Sequence, residues 1–271
     1  MNNITLTGAM RSNLLSLQGI SQDVATTQQR LSTGKRVNSA VDDASAYFSA
    51  QAGYNKAEAL NTLKAAMGEG LAKIKTALTA TQTATSVLKQ MKSLADQALA
   101  TSDSATRTTL QGQYNQLKSQ LGTITQNDAN YKGTNLLSGT TGNDLVINFN
   151  EDSTSKITVS ATDTTAATYN PTTADFSTNS GIATAQAEST NATAAFQSLA
   201  TTLGAYSSFI QTRQDFTSQL SSIFQTGADD LVNADMNQEG ANMLALQTRQ
   251  QLSITALSLA SQANQAVLRL F

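Results

Sequence analysis

The chain has 271 residues, a formal net charge of −2 and neither His nor Cys. It therefore has no imidazole base, thiol nucleophile, disulfide or His/Cys metal site, and no Lys/Arg cluster that would grip nucleic acid. Only 5% of residues are aromatic, with no Trp, and Pro171 is the single proline. That composition suits extended helical packing better than a ring-filled globular core.

The opening residues, MNNITLTGAMRSNLLSLQ, lack the basic stretch and following apolar core of a cleavable secretory signal. No apolar run reaches the ~20 residues that a membrane-spanning helix needs, so no membrane partner is expected. Met10, Leu17, Val24 and Leu31 then fall seven apart, with Ile20 between Leu17 and Val24, a heptad-like stripe on a first helix. Leu60, Met67, Ile74, Thr81, Leu88 and Ala95 form a second such row, with Leu71, Leu78, Thr85, Lys92 and Leu99 as its companion. A helix over about residues 57–100 would be roughly 66 Å long at 1.5 Å per residue.

The TSDS at 101–104 supplies turn and N-cap chemistry. Leu110, Tyr114, Leu117, Leu121 and Ile124 continue as a clean stripe, so an antiparallel helical hairpin is expected. Between about 128 and 183 the chain turns to Thr, Ser, Asn, Asp and Gly. There Leu145, Ile147 and Phe149 alternate, as do Ile157 and Val159, which predicts a β-hairpin around NEDSTS. Helical rhythm resumes from Phe196 through Leu203, Ile210 and Thr217 to Phe224.

The last helix carries Ala245, Leu252, Leu259 and Ala266 seven apart, with Arg249, Ala256, Ala263 and Leu270 in the alternate positions. The fold class read from this order is mainly α: a long antiparallel helical bundle or coiled coil with a small β-hairpin insert. The first and last stripes are narrow and complementary, and the two ends are expected to pair. The residues expected to carry self-association are Met10, Leu17, Ile20, Val24, Leu31, Leu252, Ala256, Leu259, Ala263, Ala266 and Leu270.

No segment gathers catalytic, cofactor or metal chemistry. Asp42 and Asp43, beside Ser39 at a helix start, suit capping of exposed N–H groups better than a paired-carboxylate site. Ser32-Thr33-Gly34-Lys35-Arg36 contains a GK pair, but Gln29 stands where a phosphate loop needs its first glycine. Lys35 and Arg36 read as loop cations facing acidic partners.

Several strings, in order, resemble bacterial flagellins. Gln29-Arg30-Leu31-Ser32-Thr33-Gly34-Lys35-Arg36-Val37-Asn38-Ser39-Ala40-Val41-Asp42-Asp43-Ala44 looks like their "RLSSGxRINSAxDDAAG" segment. Leu94-Ala95-Asp96-Gln97-Ala98 resembles "LAxQA", and Asn130-Tyr131-Lys132-Gly133-Thr134-Asn135-Leu136-Leu137 is similar to "xYxGxxLL". Ala234-Asp235-Met236, Ala241 to Leu252 and Ser261-Gln262-Ala263-Asn264-Gln265 fit their last helix.

The resemblance implies a short flagellin without large outer domains. Residues 1–40 with 236–271 would form a two-helix inner-tube domain on assembly, and 41–235 a helical rod domain holding the insert at about 128–183. Arg30, Lys35, Arg36, Asn38, Asp42 and Asp43 would be polar residues of the loop and of contacts between subunits. The implied partners are other copies of the chain, the flagellum's type III export apparatus, a flagellin chaperone at the C-terminal helix, and the filament cap and hook-junction proteins. The mature protein would be extracellular, with no cofactor.

The innate-immune receptor strip "LQRVREL" of many flagellins aligns with Leu88-Lys89-Gln90-Met91-Lys92-Ser93-Leu94. Here Gln90 and Lys92, between Leu88 and Leu94, replace the arginines, so recognition is expected to be weak or absent, because Lys does not reproduce an Arg fork. A hook–filament junction protein shares the terminal helices and stays open as an alternative. An unrelated helical-bundle binding module would differ by having protease-resistant ends. An enzyme fits least.

Overall fold

The computed structural model describes residues 8–139 and 142–268. The elements are α1 (Gly8–Thr33), α2 (Ala44–Ala100), α3 (Ser104–Thr123), a π-helical turn (Ile124–Asp128), β1 (Leu145–Asn148), β2 (Lys156–Val159), α4 (Asn179–Val232) and α5 (Met236–Leu268). The chain is mainly α, a helical bundle with a small antiparallel hairpin. It forms two compact units, one within 1–56 and 223–271, the other spanning Ala57–Ser222.

In the Ala57–Ser222 unit, α2 runs antiparallel to both α3 and α4. Arg107 on α3 donates to the Ala98 and Thr101 carbonyls that end α2, while Lys64 on α2 donates to Ser218 Oγ on α4 at 2.9 Å. The row Leu60, Met67, Ile74, Thr81, Leu88 and Ala95 is buried throughout. Its expected companion is not: Leu71 is buried, Leu78, Thr85 and Lys92 are half-buried, and Leu99 is exposed. The buried companion is Gly70, Ala77, Ala84, Met91 and Ala98, three residues after members of the first row. Four of these five are Gly or Ala, which a search for large apolar residues overlooks.

Asp103 caps α3 by accepting from the Thr106 N–H at 2.7 Å, as the TSDS turn predicts. Tyr114 is fully buried, its ring edge-on to Phe176 and its hydroxyl near Ser189 Oγ (2.9 Å) and the Ala185 carbonyl (3.2 Å). After the π-helical turn, buried Asn135 donates to the carbonyls of Thr125 and Gln126, both at 2.9 Å, and accepts from the Leu137 N–H. One side chain thus satisfies the backbone of a tight, non-helical connection.

The hairpin pairs Leu145 with Val159 and Ile147 with Ile157. Leu145, Ile147, Phe149 and Val159 turn into a core shared with Met67, Leu71 and Ile74 of α2, and Val146 faces outward. Gly70 makes this seat: a Cβ there would lie 2.7 Å from Ile147 Cγ1 and closer still to its Cδ1. Gly70→Val should therefore cost about 1–3 kcal/mol by overpacking, read as a lowered urea midpoint by circular dichroism. Adding Ile147→Val should recover part of the loss. A Gly70→Val chain as stable as the parent would show that the hairpin does not rest on α2.

Candidate functional site

The unit built from the two ends begins at the end of α1. Gly34, at φ +69°, takes the left-handed conformation that closes a helix, and its N–H donates back to the Arg30 carbonyl at 2.8 Å. The chain then meets the end of α4. Arg36 and Val37 donate their N–H groups to the Val232 carbonyl at 2.7 and 3.1 Å, and the Ala234 N–H donates to the Gly34 carbonyl at 2.9 Å. Val37, Ala50, Ala228 and Val232 bury a small core behind this clamp.

The loop 38–43 is held by its own carboxylates. Asp42 Oδ2 accepts from the N–H groups of Ser39 (2.9 Å) and Asn38 (3.0 Å) and from the Ser39 hydroxyl, and these donors hold its carboxyl below the ordinary 3.8. Asp43 Oδ1 accepts from the Ala46 N–H at 3.0 Å and caps α2. Helix α2 thus starts at Ala44, well before the point near 57 that its apolar rows suggested. Arg36 donates to the Leu231 carbonyl at 3.0 Å and lies 4.0 Å from Asp43, an exposed ion pair of little energetic weight. Asn38 donates to the Lys35 carbonyl, and Lys35 forms a backbone bridge with Asn233.

Helices α1 and α5 pack together and run antiparallel, since Arg30 near the end of α1 meets Glu239 at the start of α5. Along α1 the covered stripe is Met10, Asn13, Leu17, Ile20, Val24, Thr27 and Leu31, half-buried except for buried Thr27. The five apolar positions predicted on this helix all lie in it. Along α5 the covered stripe is Glu239, Met243, Leu246, Gln250, Ser253, Leu257 and Ala260.

That second stripe corrects the sequence reading. Leu252, Ala256, Leu259, Ala263 and Ala266 do not face α1: all are exposed, Leu252 at 64% and Leu259 at 68%. Leu270 lies outside the described residues. The true seam is offset from the predicted one by a single residue, roughly 100° around the helix. Both stripes keep a heptad rhythm, so spacing alone does not choose between them. The signal that does is charge, because Glu239 belongs to the seam and finds Arg30 across it. Arg30 is accordingly an ion-pair partner within its own chain.

The presumed receptor strip is also altered. Leu88 is fully buried in the core of the other unit. Gln90 is exposed, Leu94 is half-buried, and Lys92 pairs with Asp96 at 3.1 Å.

Tyr54 donates to Asp229 Oδ1 at 2.6 Å, tying α2 to α4 beside the clamp. Burial, with the neighbouring carboxylate adding to it, pushes the Tyr54 hydroxyl from 10.0 to about 12. Because the folded value is raised, this contribution is complete below pH 10.0 and is lost as pH rises through about 12. Tyr54→Phe should cost about 1 kcal/mol at neutral pH, measured by chemical unfolding. Its stability gap from the parent should close over that alkaline window, and a constant gap would exclude the linkage.

A helix that is apolar on two faces but covered on one leaves an exposed apolar stripe of the kind that marks an interaction surface. Family models match both ends of the chain. Residues 2–142 match the bacterial flagellin N-terminal helical region, and 186–271 the bacterial flagellin C-terminal helical region. A flagellin of Brucella melitensis is 32% identical, covering 100% of this chain and 99% of the relative. Flagellin FljK of Caulobacter vibrioides is 30% identical with the same coverage. The crystal structure of Bacillus cereus flagellin superposes with a TM-score of 0.50 at 22% identity, over 55% of this chain and 86% of that one. The chain belongs to the bacterial flagellin family.

Proposed function

We propose that this chain is a structural subunit that polymerises into the bacterial flagellar filament, the helical propeller of swimming, and that the outer stripe of α5 is the main surface it uses. One observation carries the assignment of the surface. α5 displays Leu252 and Leu259 of that stripe to solvent at 64% and 68% exposure while its other face is already covered. Each such surface returns about 25 cal/mol for every Å² of apolar area removed from water. A contact between unlike faces of neighbouring copies propagates as a helical filament where its rotation does not close a ring.

In this reading, residues 1–40 with 236–271 are the assembling part, and 41–235 stay folded before and after assembly. The export apparatus, a chaperone on α5, the filament cap and the hook-junction proteins meet the same exposed helices, and the protein acts outside the cell without catalysis. No helix among the described residues is long and apolar enough to cross a membrane.

Leu252→Glu with Leu259→Glu should abolish filaments seen by electron microscopy and leave the helical signal and main unfolding transition unchanged. Filaments of normal length from that variant would remove α5's outer stripe as the assembly surface. For the receptor strip, buried Leu88 and the non-arginine Gln90 and Lys92 support weak recognition. A receptor-reporter assay on the purified monomer should give little response, and a potent response would contradict it.

A further inference from the structure

The ion pair at the start of the α1–α5 seam uses only part of its hydrogen-bonding capacity. Arg30 Nη1 donates to Glu239 Oε1 at 3.2 Å, but Glu239 Oε2 and Arg30 Nε are both buried with no partner within the chain. Glu239 is only 7% exposed, so its free oxygen is not turned out into bulk solvent. A buried polar atom left unpaired is costly, the more so when it carries charge, and in a native fold it calls for a partner. Both residues line an open groove of about 340 Å³ beside the seam, and Asp23, Asn242, Ala245 and Arg249 form its exposed rim.

We infer that this groove is a socket for a side-chain amide, a glutamine or asparagine, from a second copy of the chain. Its N–H donates to Glu239 Oε2, and its carbonyl oxygen accepts from the Arg30 Nε–H. The chemistry follows from the walls. The carboxylates of Asp23 and Glu239 stand against the guanidiniums of Arg30 and Arg249, so the formal charge balances and an ionic ligand is not selected. What is unmet is one acceptor and one donor, and a primary amide carries both complements in one neutral group. Lysine offers donors alone and a carboxylate acceptors alone. The backbone of an approaching helix is already bonded along its own ladder. Threonine hydroxyls on these helices are engaged too: Thr26, Thr248 and Thr255 each donate to the carbonyl four residues back.

Two features make a second copy the source. Ala245 and Arg249 of the rim belong to the outer stripe of α5, so a neighbour seated on that stripe passes over the mouth of the groove. It thereby shuts out the water that reaches the groove in a single chain, and the partner for Oε2 must then come from the neighbour. The terminal helices are also well supplied with exposed amides, Gln18, Gln22, Gln28 and Gln29 on α1 and Gln247 and Gln251 on α5. A neighbour in a register that sets an apolar or acidic side chain over the groove would leave both atoms unpaired, so the socket discriminates between registers.

This inference rests on the proposed role of the outer stripe, and the test reads the two separately. The chain has no cysteine, so Asn242→Cys carries a benzophenone on its sole thiol. Isotope-labelled and unlabelled full-length copies are mixed equally, set to polymerise and irradiated. Mixed-isotope adducts should join the groove to a peptide of α1 or α5 that bears a glutamine or asparagine. Glu239→Gln keeps an oxygen for Arg30 Nη1 but sets an N–H where Oε2 stood. It should raise the concentration needed for polymerisation about tenfold, the scale of one lost hydrogen bond to a charged acceptor, with helical content unchanged. Alanine at the adducted amide should raise it equally, and the two changes together should raise it no further. Filaments with same-isotope adducts only, adducts to peptides without an amide, or additive effects of the two changes would each overturn the socket and leave the stripe standing. Intact filaments from Leu252→Glu with Leu259→Glu would remove the stripe, yet a mixed adduct in the parent would still uphold the socket. A parent that yields neither filaments nor mixed adducts overturns both.

Discussion

One helix can cover only one face of another, and α5 has apolar residues on more than one. That mismatch governs the terminal unit. Its hydrophobic surface is divided between a face covered within the chain and a face left exposed. The intrachain share is modest: α1 and α5 meet along half-buried rows interrupted by Asn13, Thr27, Gln250 and Ser253. A drier seam would hold the two helices more firmly, yet polar residues at such positions limit the alternative pairings available to heptad repeats.

The clamp between the end of α1 and the end of α4 answers a different requirement. Without it, two helices joined only through the rest of the chain would bear the full entropic cost of closing a very long loop before a weak seam formed. Four residues on each side, 34–37 and 231–234, meet through backbone hydrogen bonds and a short stretch of core, so the pair begins from a fixed point. The residues that make this loop, Arg36, Asn38, Asp42 and Asp43, spend their polar groups on its own backbone and on each other. Their resemblance to a family segment therefore has a local structural reason, whatever else they touch.

Much of this was legible in the sequence. Alternation at Leu145, Ile147, Ile157 and Val159 predicted both strands, and the row from Leu60 to Ala95 was found without error. What failed has a common cause in small residues. Ala77, Ala84 and Ala98 bury fully, but alanine is common on exposed helix faces too, so its periodicity carries little information. On α5, alanine and leucine recur at adjacent heptad offsets, and the sequence alone gives two stripes of equal rhythm. The pairing of Glu239 with Arg30 across the α1–α5 seam distinguishes them, and that is a contact between positions 209 apart in sequence.

Rings are unevenly distributed between the terminal helices and the Ala57–Ser222 unit. Neither α1 nor α5 contains an aromatic residue, whereas Tyr114, Phe149, Phe176 and Phe196 are buried in the Ala57–Ser222 unit. Rings fill irregular space and lock it through specific edge-on contacts, as between Tyr114 and Phe176 or Tyr169 and Phe196. Such a core is filled within one chain. A seam of alanine, leucine, serine and glutamine fills space regularly, turn after turn, and offers similar ridges and grooves to any helix of matching period. The terminal helices can therefore exchange water for protein along their outer faces without rebuilding the seam they already have.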